Sequence, residues 1–165
     1  MKNDLTHLDN TLFDALGGNI SSVYKEEETG DYCGYNFQFG TFRVKYRKTK
    51  VTPKKLGQFV ALWKRNTAGK TEPYHIDDDF DFYFIETVYG HKRGCFIFPK
   101  AILSEKQVLS VNNREGKRGF RVYPIWDIPE SKQAISTKSW QILYFIDLTE
   151  NGKTAVEKVQ KLMKR

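Results

Sequence analysis

Between Tyr35 and Arg47 the chain alternates: Tyr35, Phe37 and Phe39 flank Asn36 and Gln38, and after Gly40-Thr41 come Phe42, Val44 and Tyr46, interleaved with Arg43, Lys45 and Arg47. Strand side chains point to opposite faces in turn, so this period of two specifies a β-hairpin with one apolar face. The other face of its second strand is a row of bases, which predicts a basic surface on the sheet. Gln58–Lys64 reads as a further strand covered on both faces, and Phe80–Val88 with Gly94–Phe98 as two strands joined by the polar turn Tyr89–Arg93.

Helical spacing appears elsewhere. Leu5, Leu8, Leu12 and Leu16, stopped by Gly17-Gly18, predict an amphipathic helix over residues 4 to 16. Short helices are expected at Lys100–Gln107, around Trp140–Tyr144, and after Asn151-Gly152; a strand is expected at Phe120–Tyr123. Helix, then strands, then helices, with hairpins in the middle, gives an α+β or α/β fold with a central mixed, largely antiparallel sheet flanked by helices. A length of 165 residues fits one domain over 1–165.

Charge is segregated along this frame. The first forty residues are acidic, whereas residues 41 to 70 contain ten bases (Arg43, Lys45, Arg47, Lys48, Lys50, Lys54, Lys55, Lys64, Arg65 and Lys70) and no acid. An acidic island, Asp77-Asp78-Asp79-Phe80-Asp81, separates them from a second basic group that includes Lys117, Arg118 and Arg121. The net charge of +7 and pI near 9.3 point to a polyanionic partner. Thr52-Pro53-Lys54-Lys55 projects lysines from a turn, and Lys117–Tyr123 places bases beside strand aromatics, the combination that meets phosphates and bases of DNA or RNA. The nucleic-acid-binding set is Lys45, Lys50, Lys54, Lys55, Lys64, Arg65, Lys117, Arg118 and Arg121.

Other chemistries fit less well. Gly69-Lys70-Thr71 imitates the end of a P-loop, but Lys64 stands where the earlier glycine belongs. His7, His75 and His91 are dispersed, and Cys33 and Cys95 have no neighbours at ligand spacing, so two reduced structural thiols are expected. No run of apolar residues is long enough for a membrane span, and Asp4 and Asp9 disagree with a signal peptide, so a cytoplasmic protein is expected. Asp81 stands within an apolar alternation and calls for a cation. A strand meander with its turn near His91 would put Lys100 opposite Tyr83, on the face of Asp81, with Lys64 at the same end.

Several stretches together, TPKKLGQFVALWKR at 52–65, DFYFIE at 81–86, FIFPK at 96–100, KRGFRVYPIWD at 117–127 and WQILYF at 140–145, closely resemble the MepB family of small bacterial proteins. The resemblance runs from about residue 10 to about residue 148. It implies a fold similar to the restriction-endonuclease-like, or PD-(D/E)xK, group, and with it nucleic-acid binding. The catalytic version would use Asp81, Lys100 and Lys64, with Mg²⁺ held by Asp81 together with Glu86 or Glu28, and Glu26 as a further carboxylate in reach. The sequence departs from that signature, because Phe98 and Leu62 occupy the positions two before Lys100 and Lys64 where an acid is expected. Two alternatives stand beside the nuclease: a non-catalytic nucleic-acid-binding module, and a regulatory protein that docks an acidic partner.

Overall fold

The computed structural model describes residues 20–27, 34–149 and 153–164. The helix expected over residues 4 to 16, with Glu28 and Cys33, lies outside the described residues. Strands β1 (Ile20–Lys25), β2 (Tyr35–Phe39) and β3 (Phe42–Lys48) form an antiparallel meander, and the predicted hairpin pairs Tyr35 with Tyr46 and Phe39 with Phe42 around Gly40 at φ +59°. A left-handed turn residue favours glycine because no Cβ clashes there.

The chain leaves this sheet through β4 (Lys50–Val51), β5 (Gln58–Ala61), β6 (Trp63–Arg65) and β7 (Thr71–Pro73), then returns as β8 (Phe82–Tyr89) and β9 (Lys92–Pro99). Because the connection crosses over the sheet, β8 lies parallel to β3, whereas the other pairs in the six-stranded order β1-β2-β3-β8-β9-β11 are antiparallel. The mixed, largely antiparallel architecture expected from the sequence is therefore present. Helix α1 (Lys100–Glu105) follows β9, β10 (Gly119–Val122) joins β5 and β4 in a second sheet, and α2 (Lys132–Gln141) continues through a 3₁₀ turn (Ile142–Tyr144) into β11 (Phe145–Asp147) and α3 (Lys153–Leu162). The single strand expected over Gln58–Lys64 is two: it breaks at buried Leu62, whose N–H bonds Arg118 O at 2.9 Å, so that β5 pairs with β10 and β6 with β7.

Alternation along β8 separates two cores. Phe82 and Phe84 pack with Tyr35, Phe37, Val44, Tyr46 and Ile97 beneath α3, while Tyr83 and Ile85 face Val60, Phe120 and Val122 of the second sheet. Phe98 joins the second core to the helices through Trp140 (ring centroids 5.5 Å) and Tyr144 (5.8 Å). At Gly94 even a Cβ would lie 2.1 Å from the Phe145 ring, so glycine sets how closely β11 approaches β9.

Candidate nucleic-acid interface

Of the hairpin's basic row, Arg43 is exposed, whereas Lys45 and Arg47 are buried. Lys45 and Arg47 lie on the Tyr83 and Ile85 side of the sheet, 7% and 2% exposed, because the second sheet and the 74–80 segment cover that face. Glu26, just after β1, meets both: Oε1 accepts from Lys45 Nζ at 2.5 Å, and Oε2 accepts from Arg47 Nη2. Asn36 Oδ1 takes a second Lys45 N–H at 2.9 Å, and Arg47 Nη1 donates to Tyr46 O at 2.9 Å. Burial alone would raise the Glu26 pKa, but the Arg47 and Lys45 cations outweigh it and hold the carboxyl below its ordinary value. Burial pulls the Lys45 ammonium down and, with the Glu26 charge, pushes the Tyr74 phenol up. Lys45 is thus an internal charge and not a contact on the outer surface, and Glu26 is committed to two cations.

The acidic island is likewise structural. Asp78 Oδ1 holds Lys64 Nζ at 2.7 Å, its Oδ2 accepts the His75 N–H at 2.7 Å, and its carbonyl accepts from Lys100 Nζ. Burial opposes ionisation of Asp78, but the His75 N–H and Lys64 together lower its pKa. Asp81 falls at the mouth of β8, half-buried, and its Oδ2 accepts the Arg43 N–H at 2.8 Å with Arg43 Nε 3.9 Å away; Arg43 also pairs with Asp79. The β8–β9 register is shifted by two residues from the one expected: Tyr83 faces Phe98, and the Lys100 N–H reaches Asp81 O at 3.1 Å. Lys100 has an ammonium whose pKa burial lowers, with Asp78 its foremost charged neighbour and Asp81 next.

Of the expected metal ligands, Asp81 and Glu86 are not gathered, and Glu28 lies outside the described residues. Glu86 is five residues beyond Asp81, so the two are separated by roughly 16 Å of extended chain and point to opposite faces of β8. Glu86 is buried on the first core's face, where it accepts from Tyr46 Oη and has Arg93 Nη1 at 3.9 Å. Among the described residues, no group of three His, Cys, Asp or Glu side chains is placed to hold a metal ion. Cys95, opposite Glu86, is buried, which pushes its thiol pKa up.

The open basic surface lies instead on the second sheet. Inward-facing Val60 and Val122 are fully buried, so Lys50, Phe59 and Arg121, which stand in one cross-strand register, face outward. Arg121 Nη1 donates to Thr52 Oγ1 at 2.9 Å and to Leu56 O at 3.3 Å, tying β10 to the lysine-bearing turn. That turn needs Gly57 at φ +81°, where a Cβ would sit 2.7 Å from the Tyr123 ring. Lys54, Lys55 and Lys117 are exposed, with no side-chain partner among the described residues. Arg118 instead braces β7, donating to Thr71 O at 3.0 Å and Glu115 Oε1 at 3.0 Å, and Arg65 donates to Gly69 O at 2.8 Å with its guanidinium over Trp63.

Between the second sheet and α2 run two adjoining hollows. One, of about 370 Å³, is lined by Lys106, Lys117, Arg121, Thr137 and Trp140; the other, of about 360 Å³, by Lys55, Leu56, Arg121, Pro129 and Glu130. Buried Gln141 fixes the width between sheet and helix: its Oε1 accepts the Tyr123 N–H at 2.9 Å and its Nε2 donates to Arg121 O at 2.8 Å, as a neighbouring strand would. Sequence pattern does not find Gln141 or Lys106, since neither stands in a run of bases or an alternating strand.

A family model for MepB-like proteins matches residues 26–147. The crystal structure of MepB is similar at 31% identity and a TM-score of 0.77, covering 79% of this chain and 88% of that one. A bacterial homing endonuclease aligns more loosely, at 12% identity and a TM-score of 0.46 over 87% of this chain and 90% of that one. No curated protein matches the chain. Since the family model spans most of the residues and the MepB structure follows the same course over the greater part of the chain, the protein belongs to the MepB-like family.

Proposed function

We propose that the protein binds DNA or RNA through the outward face of the second sheet and the groove beside α2, without cleaving it. The observation that carries this reading is the division of the cations into two populations. Lys45, Arg47 and Lys64 are matched by Glu26 and Asp78, whereas Lys54, Lys55, Lys117 and Arg121 stand together on an open face where Glu130 is the acid lining the hollows. A focused positive surface attracts a polyanion and exchanges its condensed counterions for fixed cations. Arg121 suits a phosphate because, among the described residues, its bonds engage Nη1 and leave Nε and Nη2 open.

The carboxylates among the described residues support binding without cleavage. Two-metal or one-metal phosphodiester chemistry needs acids that converge on one point, and Asp81, Glu86 and Glu26 are each directed to a different partner. The test is binding of duplex and single-stranded DNA and RNA across a salt series, with and without Mg²⁺. Neutralising roughly six phosphates gives a log–log slope of about −5 on duplex and about −4 on single strands. A flat salt dependence, or no binding at low salt, overturns the reading; Mg²⁺-dependent cleavage that copurifies with the protein overturns its second half.

A further inference from the structure

The shape of the groove narrows the kind of nucleic acid it takes, an inference that rests on the binding reading above. The two hollows meet at Arg121, Tyr123, Ser131 and Ala134, so Arg121 stands at the divide between them. Cations follow one line: Lys55 at one end, Arg121 at the divide and Lys117 at the other end. Lys117 and Arg121 are four residues apart, which sets their backbones at most about 13 Å from one another. The walls between them are apolar or aromatic. Leu56 is 47% exposed in the Lys55 hollow, and half-buried Trp140 lines the other, with Lys106 Nζ 5.6 Å from its ring.

A duplex keeps its bases stacked and presents two phosphate backbones to a surface. It touches only the rim of such hollows, and the cleft-facing Ala134, Thr137 and Trp140 of the helix beside them lie out of its reach. A single strand presents one backbone and unstacked bases, which match one line of cations with apolar recesses on either side. We propose that the paired hollows hold consecutive nucleotides of single-stranded DNA or RNA, one base against Leu56 and the next beside Trp140, with Arg121 on the phosphate between them.

The test measures binding of a labelled single strand of about twelve nucleotides, within the usual range for such sites, as DNA and as RNA, and of the DNA duplex of the same sequence at the same salt. Ala134→Trp fills the junction of the hollows, and Leu56→Glu, on an exposed turn, places a charge in one recess without touching the core. The expected result is single-strand binding about tenfold tighter than duplex, lowered about tenfold by Leu56→Glu and by any folded Ala134→Trp protein, with duplex binding changed much less. Duplex binding equal to or tighter than single-strand binding, or single-strand affinity untouched by Leu56→Glu, overturns this inference and leaves the binding reading standing. Absence of binding to all three probes at low salt removes that reading, and this inference with it.

Discussion

Arg121 reaches past β5 to donate from Nη1 to Thr52 Oγ1 at 2.9 Å, joining the two basic segments that the sequence separates by almost seventy residues. The turn that carries Lys54 and Lys55 is thereby held against β10, and the guanidinium is pre-oriented toward solvent. Arg121→Ala is expected to weaken nucleic-acid binding across all sequences and reduce the salt slope by about 1, while Lys54→Ala with Lys55→Ala reduces it by about 1 to 2. Arg121→Lys keeps the charge and loses the fork, so it retains the slope and loses affinity. Salt titrations of the three variants check this; a slope unchanged by Arg121→Ala would place the phosphates elsewhere.

Gln141 stands in for a missing strand neighbour beyond β10. Replacing it with leucine leaves the Tyr123 N–H and the Arg121 carbonyl buried without partners, and two such unsatisfied groups together cost about 2 to 4 kcal/mol. Gln141→Glu keeps the acceptor for Tyr123 and loses the donor to Arg121, so it is expected to fall between the two. Denaturant unfolding of the three proteins orders them; equal midpoints would show that the backbone groups find water instead.

The fold was legible where period and punctuation agree. Tyr35–Tyr46 alternates around Gly40, and Lys100–Glu105 follows Pro99, so both elements emerge as expected. What alternation does not say is which face is covered. Arg43, Lys45 and Arg47 share a face by period, but the chain that buries Lys45 and Arg47 comes from the second sheet and the 74–80 segment, and the acid that pairs with both, Glu26, comes from before the hairpin. The same limit applies to Asp81: a turn at Gly90-His91 displaces the pairing by two residues from the one that sets Lys100 opposite Tyr83, and the carboxylate meets Arg43 of β3 across a parallel pair that no local pattern announces. The Lys54, Lys55, Lys117 and Arg121 grouping was readable because both segments combine bases with strand signals, whereas Gln141 required the helix to be placed.

Glu26 makes acid stability a test of the internal charge cluster. Its folded-state pKa is held below the ordinary carboxylate value, so the stability it contributes is fully present above the unfolded value and is lost as pH falls through the lower, folded one. At neutral pH, Glu26→Gln leaves Lys45 and Arg47 without their carboxylate and is expected to cost about 3 to 5 kcal/mol, toward the lower end if Lys45 sheds its proton. The gap between variant and parent should close in acid once Glu26 is protonated in both states. A pH-independent difference would mean that packing, not charge, accounts for the loss.

Asp81 decides between a binding module and a nuclease. Its Oδ2 accepts the Arg43 N–H at 2.8 Å, an interaction that an asparagine carbonyl can replace, and the Arg43 side chain it neighbours is half-exposed. Asp81→Asn is therefore expected to cost no more than about 1 kcal/mol of stability. It also stands far along β8 from Glu86, so removing its charge dismantles no cation site assembled from those two acids. Assayed on plasmid DNA and on RNA with Mg²⁺, the variant and the parent should show the same cleavage, at the level of a protein-free control, and should bind nucleic acid equally. Cleavage by the parent that disappears in Asp81→Asn, with binding retained, would establish Asp81 as a catalytic carboxylate and require its metal partners to come from residues other than Glu86 and Glu26.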